Sequence, residues 1–188
     1  KNMKIKVILF NLAYLSDILR LFFKKSTKTK NYKMNNTQFI KNEMPALLQQ
    51  LTTESKPLWG MMSAQNMIEH LGMLFYVSTG KPNVNISTPA DRIERVLAFL
   101  MSEKTFQRNV KVPDLPANKT MPLKYKDLAE AHEKLMQQIN AFYAAFEGEK
   151  STTTAHPVFG MLNLAQWEQF HRKHSQHHLR QFALLKEV

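Results

Sequence analysis

The sequence contains no cysteine among its 188 residues, which excludes a disulfide framework and any metal site built on thiolates. Glycine is also scarce, with five residues, whereas helix-favouring Leu, Met, Ala, Gln, Glu and Lys are abundant. No segment shows the convincing alternation of apolar and polar residues that is typical of a half-buried strand. These absences predict a helical protein from a reducing compartment, and we expect a cytoplasmic location.

Acidic residues are nearly absent from the first 33 positions, which carry nine lysines or arginines against Asp17 alone. Their net charge of +8 accounts for most of the +11 of the whole chain, because residues 34–188 hold 17 basic and 14 acidic side chains. A basic surface that binds nucleic acid would be expected on the larger part of the chain. Since that part is nearly balanced, we expect no specific nucleic-acid partner.

Residues 1–33, the N-terminal extension, contain the apolar run VILFNLAYLSDILRLFF between lysines. No small-residue cleavage site follows this run, and Asp17 and Arg20 would be costly inside a bilayer. Two interpretations stay open: a basic amphipathic helix on a membrane surface, or upstream sequence that precedes a natural start at Met34. A membrane-surface partner is expected only under the first interpretation. We expect residues 34–188 to form a single domain.

Helical periodicity and capping residues divide that domain into segments. Ser63 is a typical N-cap, Pro45 marks a kink or a late start, and Asn163 with Gln166 forms a pattern like a capping box. The fold class predicted is all-α, a four-helix bundle with an additional short helix. We predict helices over 37–51, 63–78, 88–104, 124–148 and 164–185, with loops over 54–62, 105–123 and 156–162.

Four of the seven histidines lie in the stretch HRKHSQHH, residues 171–178. On a helix, His174 and His178 share a stripe with Trp167 that faces inward, while His171 lies at its edge and His177 outside its centre. An i, i+4 histidine pair can direct two imidazole nitrogens at one metal ion. The alternative interpretation is that these are buried histidines that hydrogen-bond locally.

A third ligand must come from another helix, and His70 is the best candidate because it lies on the apolar face of its own helix. Gln181 is one turn from His178 and is expected either to orient a bound molecule or to hold a histidine in one tautomer. His156 is a candidate acid or base near the mouth of the bundle, with packing in its loop as the alternative role. His171 is a further candidate beside the site or the substrate, with local hydrogen bonding as its alternative. Glu69 points away from His70, so we do not assign it as a general base.

The segments PLWGMMSAQNMIEHL and HPVFGMLNLAQWEQFHRKHSQHHLRQF resemble the DinB/YfiT-like superfamily. Within it they are similar to an uncharacterised branch with an HPxFG loop and a KHxxHHLRQF ending, and the resemblance covers residues 37–184. It implies an up-down-down-up four-helix bundle. It also implies one divalent metal held by three histidines, which correspond here to His70, His174 and His178.

The superfamily includes thiol-dependent S-transferases, a thiol-dependent isomerase and metal hydrolases. We therefore expect a metal-dependent enzyme that activates water or a thiol and acts on a small-molecule substrate. The expected cofactors are one divalent ion (zinc, nickel or iron) and a low-molecular-weight thiol, and a homodimer is compatible with the family. The alternative is a non-catalytic helical module that binds a metal or another ligand. A catalytic site would face a cavity beside His70, with Gln181 at its wall.

Overall fold

The computed structural model describes residues 35–108, 121–148 and 152–186. The interpretations of the N-terminal extension therefore fall outside the described residues. The loop predicted over 105–123 falls largely outside them, because residues 109–120 are not described. Within the described ranges the protein is mostly helical, with one small sheet of two strands. None of the helices in these ranges combines the length and apolar character needed to cross a bilayer.

Five helical segments and one hairpin follow one another along the chain. The first, α1, joins three consecutive stretches: α-helical Asn36–Gln38, π-helical Phe39–Glu43 and α-helical Met44–Leu48. The remaining elements are α2 (Ala64–Ser78), α3 (Ala90–Met101), α4 (Leu128–Ala145), β1 (Thr154–His156), β2 (Gly160–Leu162) and α5 (Leu164–Gln181).

The capping residues recognised in the sequence begin the two helices that carry the candidate ligands. Ser63 forms a reciprocal capping box with Asn66 at the start of α2, and Asn163 forms one with Gln166 at the start of α5. Each box satisfies backbone N–H groups that have no partner within the helix. Both predictions are therefore confirmed, and they define where α2 and α5 begin.

Pro45 has a different effect from a simple break in α1. Proline lacks the N–H that an α-helix would use at this position, and the wide π-turn Phe39–Glu43 lies immediately before it. The helix continues through the proline to Leu48. The helix type thus changes just before Pro45, and the alternative of a late start at this residue is wrong, because the helix begins at Asn36.

The expectation of an all-α fold is wrong at residues 154–162, which include the whole of the loop predicted over 156–162. There β1 and β2 form an antiparallel hairpin in which His156 pairs with Gly160. Each strand has three residues, too few for an alternating pattern to be visible in the sequence. The His156 side chain supports the turn, because its Nδ1 accepts hydrogen bonds from the backbone N–H groups of Val158 (3.0 Å) and Phe159 (3.2 Å).

The core is formed by α1, α2, α4 and α5, and its largest members are the fully buried Trp167, Phe39, Phe75 and Phe142. The helix α3 is attached to α5 by Lys173, whose Nζ donates to the carbonyls of Phe99 (2.8 Å) and Leu100 (3.1 Å) near the end of α3. A lysine at this position is stabilised by the carbonyl groups that a helix leaves free at its C-terminus.

The helix α5 ends at Gln181, before the predicted limit at residue 185. Ala183 adopts a left-handed backbone conformation (φ 57°), which terminates the helix. Gln181 is therefore the last helical residue, and its side chain and carbonyl lie at the end of α5.

Candidate metal centre

The structure brings together the three histidines selected from the helical pattern. His70 comes from the middle of α2, and His174 and His178 come from successive turns of α5. The Nε2 atom of His174 lies 3.1 Å from Nε2 of His70 and 3.1 Å from Nε2 of His178. One ring nitrogen from each residue lies within 4.8 Å of the others. Three imidazole nitrogens thus converge on one point.

Burial keeps these three imidazoles neutral. Burial, with smaller contributions from neighbouring histidines, lowers the pKa of His70 to about 4 and that of His178 to about 3. Burial also places the pKa of His174 well below its usual value. A neutral imidazole has a free lone pair, which is the form that binds a metal ion. At neutral pH the cluster therefore offers lone pairs without first losing protons.

The end of α5 contributes a hydrogen-bonded support for His178. Gln181 Nε2 donates to the backbone carbonyl of Trp59 (2.7 Å), so its Oε1 is directed at His178 Nδ1, also at 2.7 Å. Because Oε1 can only accept, His178 carries its proton on Nδ1 and donates it to Gln181. The Nε2 lone pair of His178 is then directed into the cluster.

A count of donors tests whether these residues fit a metal ion. His178 Nε2 carries no hydrogen, and His174 Nε2 carries at most one, which cannot serve both of its 3.1 Å contacts well. Protonation of the cluster would supply more hydrogens, but burial opposes it. A bound cation would satisfy three converging lone pairs at once. Hydrogen bonding alone would leave one of the two 3.1 Å contacts without a hydrogen. The three nitrogens therefore fit a bound cation better than a cluster held by hydrogen bonds alone.

The separation of the nitrogens fits a metal ion as well. Zinc–nitrogen bonds of about 2.0–2.1 Å in a tetrahedral arrangement place the ligand nitrogens roughly 3.3 Å apart. The two 3.1 Å separations around His174 lie close to that value. The buried Nδ1 of His174 has no hydrogen-bond partner among the described residues. The ring is held instead by stacking on Phe170, with centroids 5.3 Å apart and planes at 10°.

His171 and His156 lie outside the converging trio. His171 is fully buried and stacks on Phe75 with ring centroids 3.7 Å apart. Since the Ser78 hydroxyl donates to the Phe75 carbonyl, His171 Nε2 donates to the Ser78 Oγ (3.1 Å). His156 directs its Nδ1 at the backbone of its own turn. The contacts of both residues therefore match the alternative roles considered for them: His156 packs in its loop, and His171 is a buried histidine with a local hydrogen bond.

Glu69, which we did not assign as a base, bonds to the backbone of the segment that precedes α4. Its carboxylate accepts hydrogen bonds from the backbone N–H groups of Lys124 (2.8 Å) and Tyr125 (3.2 Å) ahead of α4.

His177 packs edge-on against Trp59 and does not join the converging nitrogens. The Trp59 carbonyl was missed by sequence reasoning, because a backbone group has no signature in the residue types.

Two of the grooves formed by the described residues are lined by residues other than the three histidines. One, of about 340 Å³, lies between the segment after α2 and the hairpin, and includes Lys81, Thr154 and Met161. The other is much smaller, about 20 Å³, and lies beside Lys173 and Gln176. Neither is lined by His70, His174 or His178. The cavity expected for a catalytic site is therefore not one of these two grooves.

Comparison with known proteins gives a family but no activity. No curated protein and no solved structure matches the chain. Residues 48–184 match a family described as "Protein of unknown function (DUF1569)". The matched range begins at the last residue of α1 and contains His70, His174, His178 and Gln181. Because the match covers more than half of the sequence, the chain belongs to the DUF1569 family.

Proposed function

We propose that this protein is a metal-dependent enzyme of the DinB-like type, in which His70, His174 and His178 hold one divalent ion. The observation that carries the proposal is the convergence of three neutral imidazole nitrogens from two helices, with 3.1 Å separations around His174. The proposed reaction class is hydrolysis or S-transfer to a small-molecule substrate, with a low-molecular-weight thiol as co-substrate in the second case.

The chemistry proposed follows from the donor set. A divalent ion bound by three imidazoles and open at a further position would supply Lewis acidity and lower the pKa of water or of a thiol. The three side chains contribute no negative charge, so an anionic group or a thiolate is favoured as the next partner. His70 and His174 each keep a fraction of their residue surface exposed, although their imidazoles lie deep enough to stay neutral.

The chain's own residues hold this cluster in place. Gln181 directs the lone pair of His178 inward, and Phe170 covers one face of His174 and shields it from water.

As a finer description of the fold, we propose that α1, α2, α4 and α5 form the up-down-down-up bundle of the DinB/YfiT-like superfamily, with α3 as the additional helix. The capping boxes of α2 and α5 and the core shared by α2, α4 and α5 support this arrangement.

A cobalt-substituted protein is expected to report the open position. Addition of a small thiol or of an inorganic anion should change the visible absorption of bound cobalt, because a fourth ligand alters the geometry of a three-histidine site. The measurement is an absorption titration with each ligand, repeated on the His177→Ala protein. That variant should respond in the same way, since His177 does not contribute to the converging nitrogens.

An unchanged spectrum at saturating thiol and anion would contradict the enzymatic proposal. It would favour the alternative, a non-catalytic helical module in which the metal has a structural role. The observation that favours this alternative is that neither of the two grooves is lined by the three histidines.

A further inference from the structure

We infer that Gln181 is a positioning residue that determines the tautomer of His178. We also infer that the orientation of the Gln181 amide is determined by residues 58–60, here called the 58–60 strap. The part of this inference that concerns metal affinity rests on the proposed function. The part that concerns the tautomer does not, because it can be measured in protein from which metal has been removed.

The first step is the orientation of the Gln181 amide. An amide has one accepting end and one donating end, and only the donating end can bond to a carbonyl. The Trp59 carbonyl lies 2.7 Å from Nε2 of Gln181, which leaves Oε1 facing His178 Nδ1 at 2.7 Å. A backbone carbonyl of the strap therefore determines on which nitrogen of His178 the proton resides.

The second step is the fixation of the strap against the end of α5. The Leu58 N–H donates to the Gln181 backbone carbonyl at 2.7 Å, so the strap and Gln181 are joined by two hydrogen bonds. Gly60 follows with φ +75°, and a Cβ at this position would lie 2.9 Å from Gln181 Nε2. A side chain at residue 60 would thus both strain the backbone and displace the amide.

The third step is the contrast with His174, the other candidate ligand on α5. The Nδ1 atom of His174 is buried without a partner among the described residues, whereas that of His178 is bonded to Gln181. Residues that orient a ligating histidine through its second nitrogen typically change metal affinity about 10–100-fold when they are removed. Of the two candidate ligands on α5, His178 is the one whose lone pair is directed into the cluster by a hydrogen bond to its other ring nitrogen.

The test uses Gln181→Leu and Gln181→Glu in the full chain, with Gln137→Leu as a control on the exposed face of α4. Two-bond ¹H–¹⁵N correlation spectra of metal-free protein, at about pH 8 so that histidine is neutral, report the tautomer of His178. We expect the Nδ1–H form in wild type and in Gln181→Glu, which keeps an acceptor. We expect loss of that form in Gln181→Leu only.

Affinity for added Zn²⁺ gives the second readout. Gln181→Leu should weaken it by roughly 10–100-fold, whereas Gln181→Glu should largely preserve it. Persistence of the Nδ1–H form in folded Gln181→Leu would overturn the inference. If wild type binds no Zn²⁺ but the tautomer still changes in Gln181→Leu, the proposed function fails and the positioning role stands.

The role of the strap is tested by Gly60→Ala against Gly148→Ala. Both glycines are exposed and have a positive φ, but a Cβ at residue 148 would meet no atom within 4 Å. Both variants therefore carry backbone strain, and only Gly60→Ala places an atom against Gln181. We expect Gly60→Ala to shift the His178 tautomer and Gly148→Ala to leave it unchanged. An equal shift, or none, in both would contradict coupling through the strap.

Discussion

The His174→Ala protein is expected to lose its divalent metal. Nε2 of His174 is the nitrogen that lies 3.1 Å from both of the others, so its removal leaves two imidazoles from different helices without their common neighbour. The expected loss of affinity is about 100-fold or more, at or beyond the upper range for removing a residue that merely supports a ligand. The measurement is elemental analysis of protein dialysed against a limiting concentration of Zn²⁺.

Two control variants separate this loss from a general effect of removing a histidine. His132 is half-buried on α4, and His177 lies on the same helix as His174, but neither belongs to the converging trio. Both alanine variants should keep wild-type occupancy, and circular dichroism should show that all three remain helical. Full occupancy in folded His174→Ala would remove this residue from the metal site.

The second large effect expected is a loss of stability in mild acid. Burial lowers the pKa of His156 to about 3 and that of His171 well below its usual value, so in the folded state both stay neutral. The unfolded chain takes up protons near pH 6.5. The contribution of these residues to stability is therefore full above about pH 6.5 and falls as the pH drops toward the folded pKa, by roughly 1.4 kcal/mol per pH unit for each histidine.

A double variant, His156→Asn with His171→Phe, is designed to remove this dependence while keeping an acceptor in the hairpin turn and the stacking on Phe75. It loses the His171–Ser78 hydrogen bond, which lowers stability at every pH but does not change the slope. The asparagine carbonyl can accept the backbone N–H groups that His156 Nδ1 accepts, and phenylalanine can stack on Phe75. Urea unfolding of metal-free protein between about pH 7 and pH 5 should then show a shallower decline than wild type, by roughly 2–3 kcal/mol per pH unit. Equal slopes in the two proteins would contradict the assignment.

Much of the helical scaffold can be predicted from local residue patterns. The capping boxes at Ser63 and Asn163 act within four residues, so their consequences are visible in the sequence itself. The helical period likewise places His174 and His178 on one face of α5. The meeting of this face with His70 was inferred from polarity on an apolar face, and the structure brings these side chains together.

The features that sequence reasoning missed depend on contacts between distant residues or on very short elements. The hairpin has no periodic signal because each of its strands has only three residues. Its turn is supported by hydrogen bonds to the His156 side chain, which strand periodicity does not reveal. His171 shares its residue type with the candidate ligands, yet its stacking on Phe75 places it in the core. The bond from Gln181 to the Trp59 carbonyl joins residues 122 positions apart, and no local pattern encodes it.

The most direct test of the central claim is the metal content and coordination of the wild-type protein. Purified full chain, loaded with Zn²⁺ or Co²⁺ and dialysed, would be examined by elemental analysis and X-ray absorption. We expect about one ion per chain with three imidazole nitrogens at about 2.0–2.1 Å. Protein that retains no ion, or an ion bound by fewer than three imidazoles, would contradict a metal site built from His70, His174 and His178.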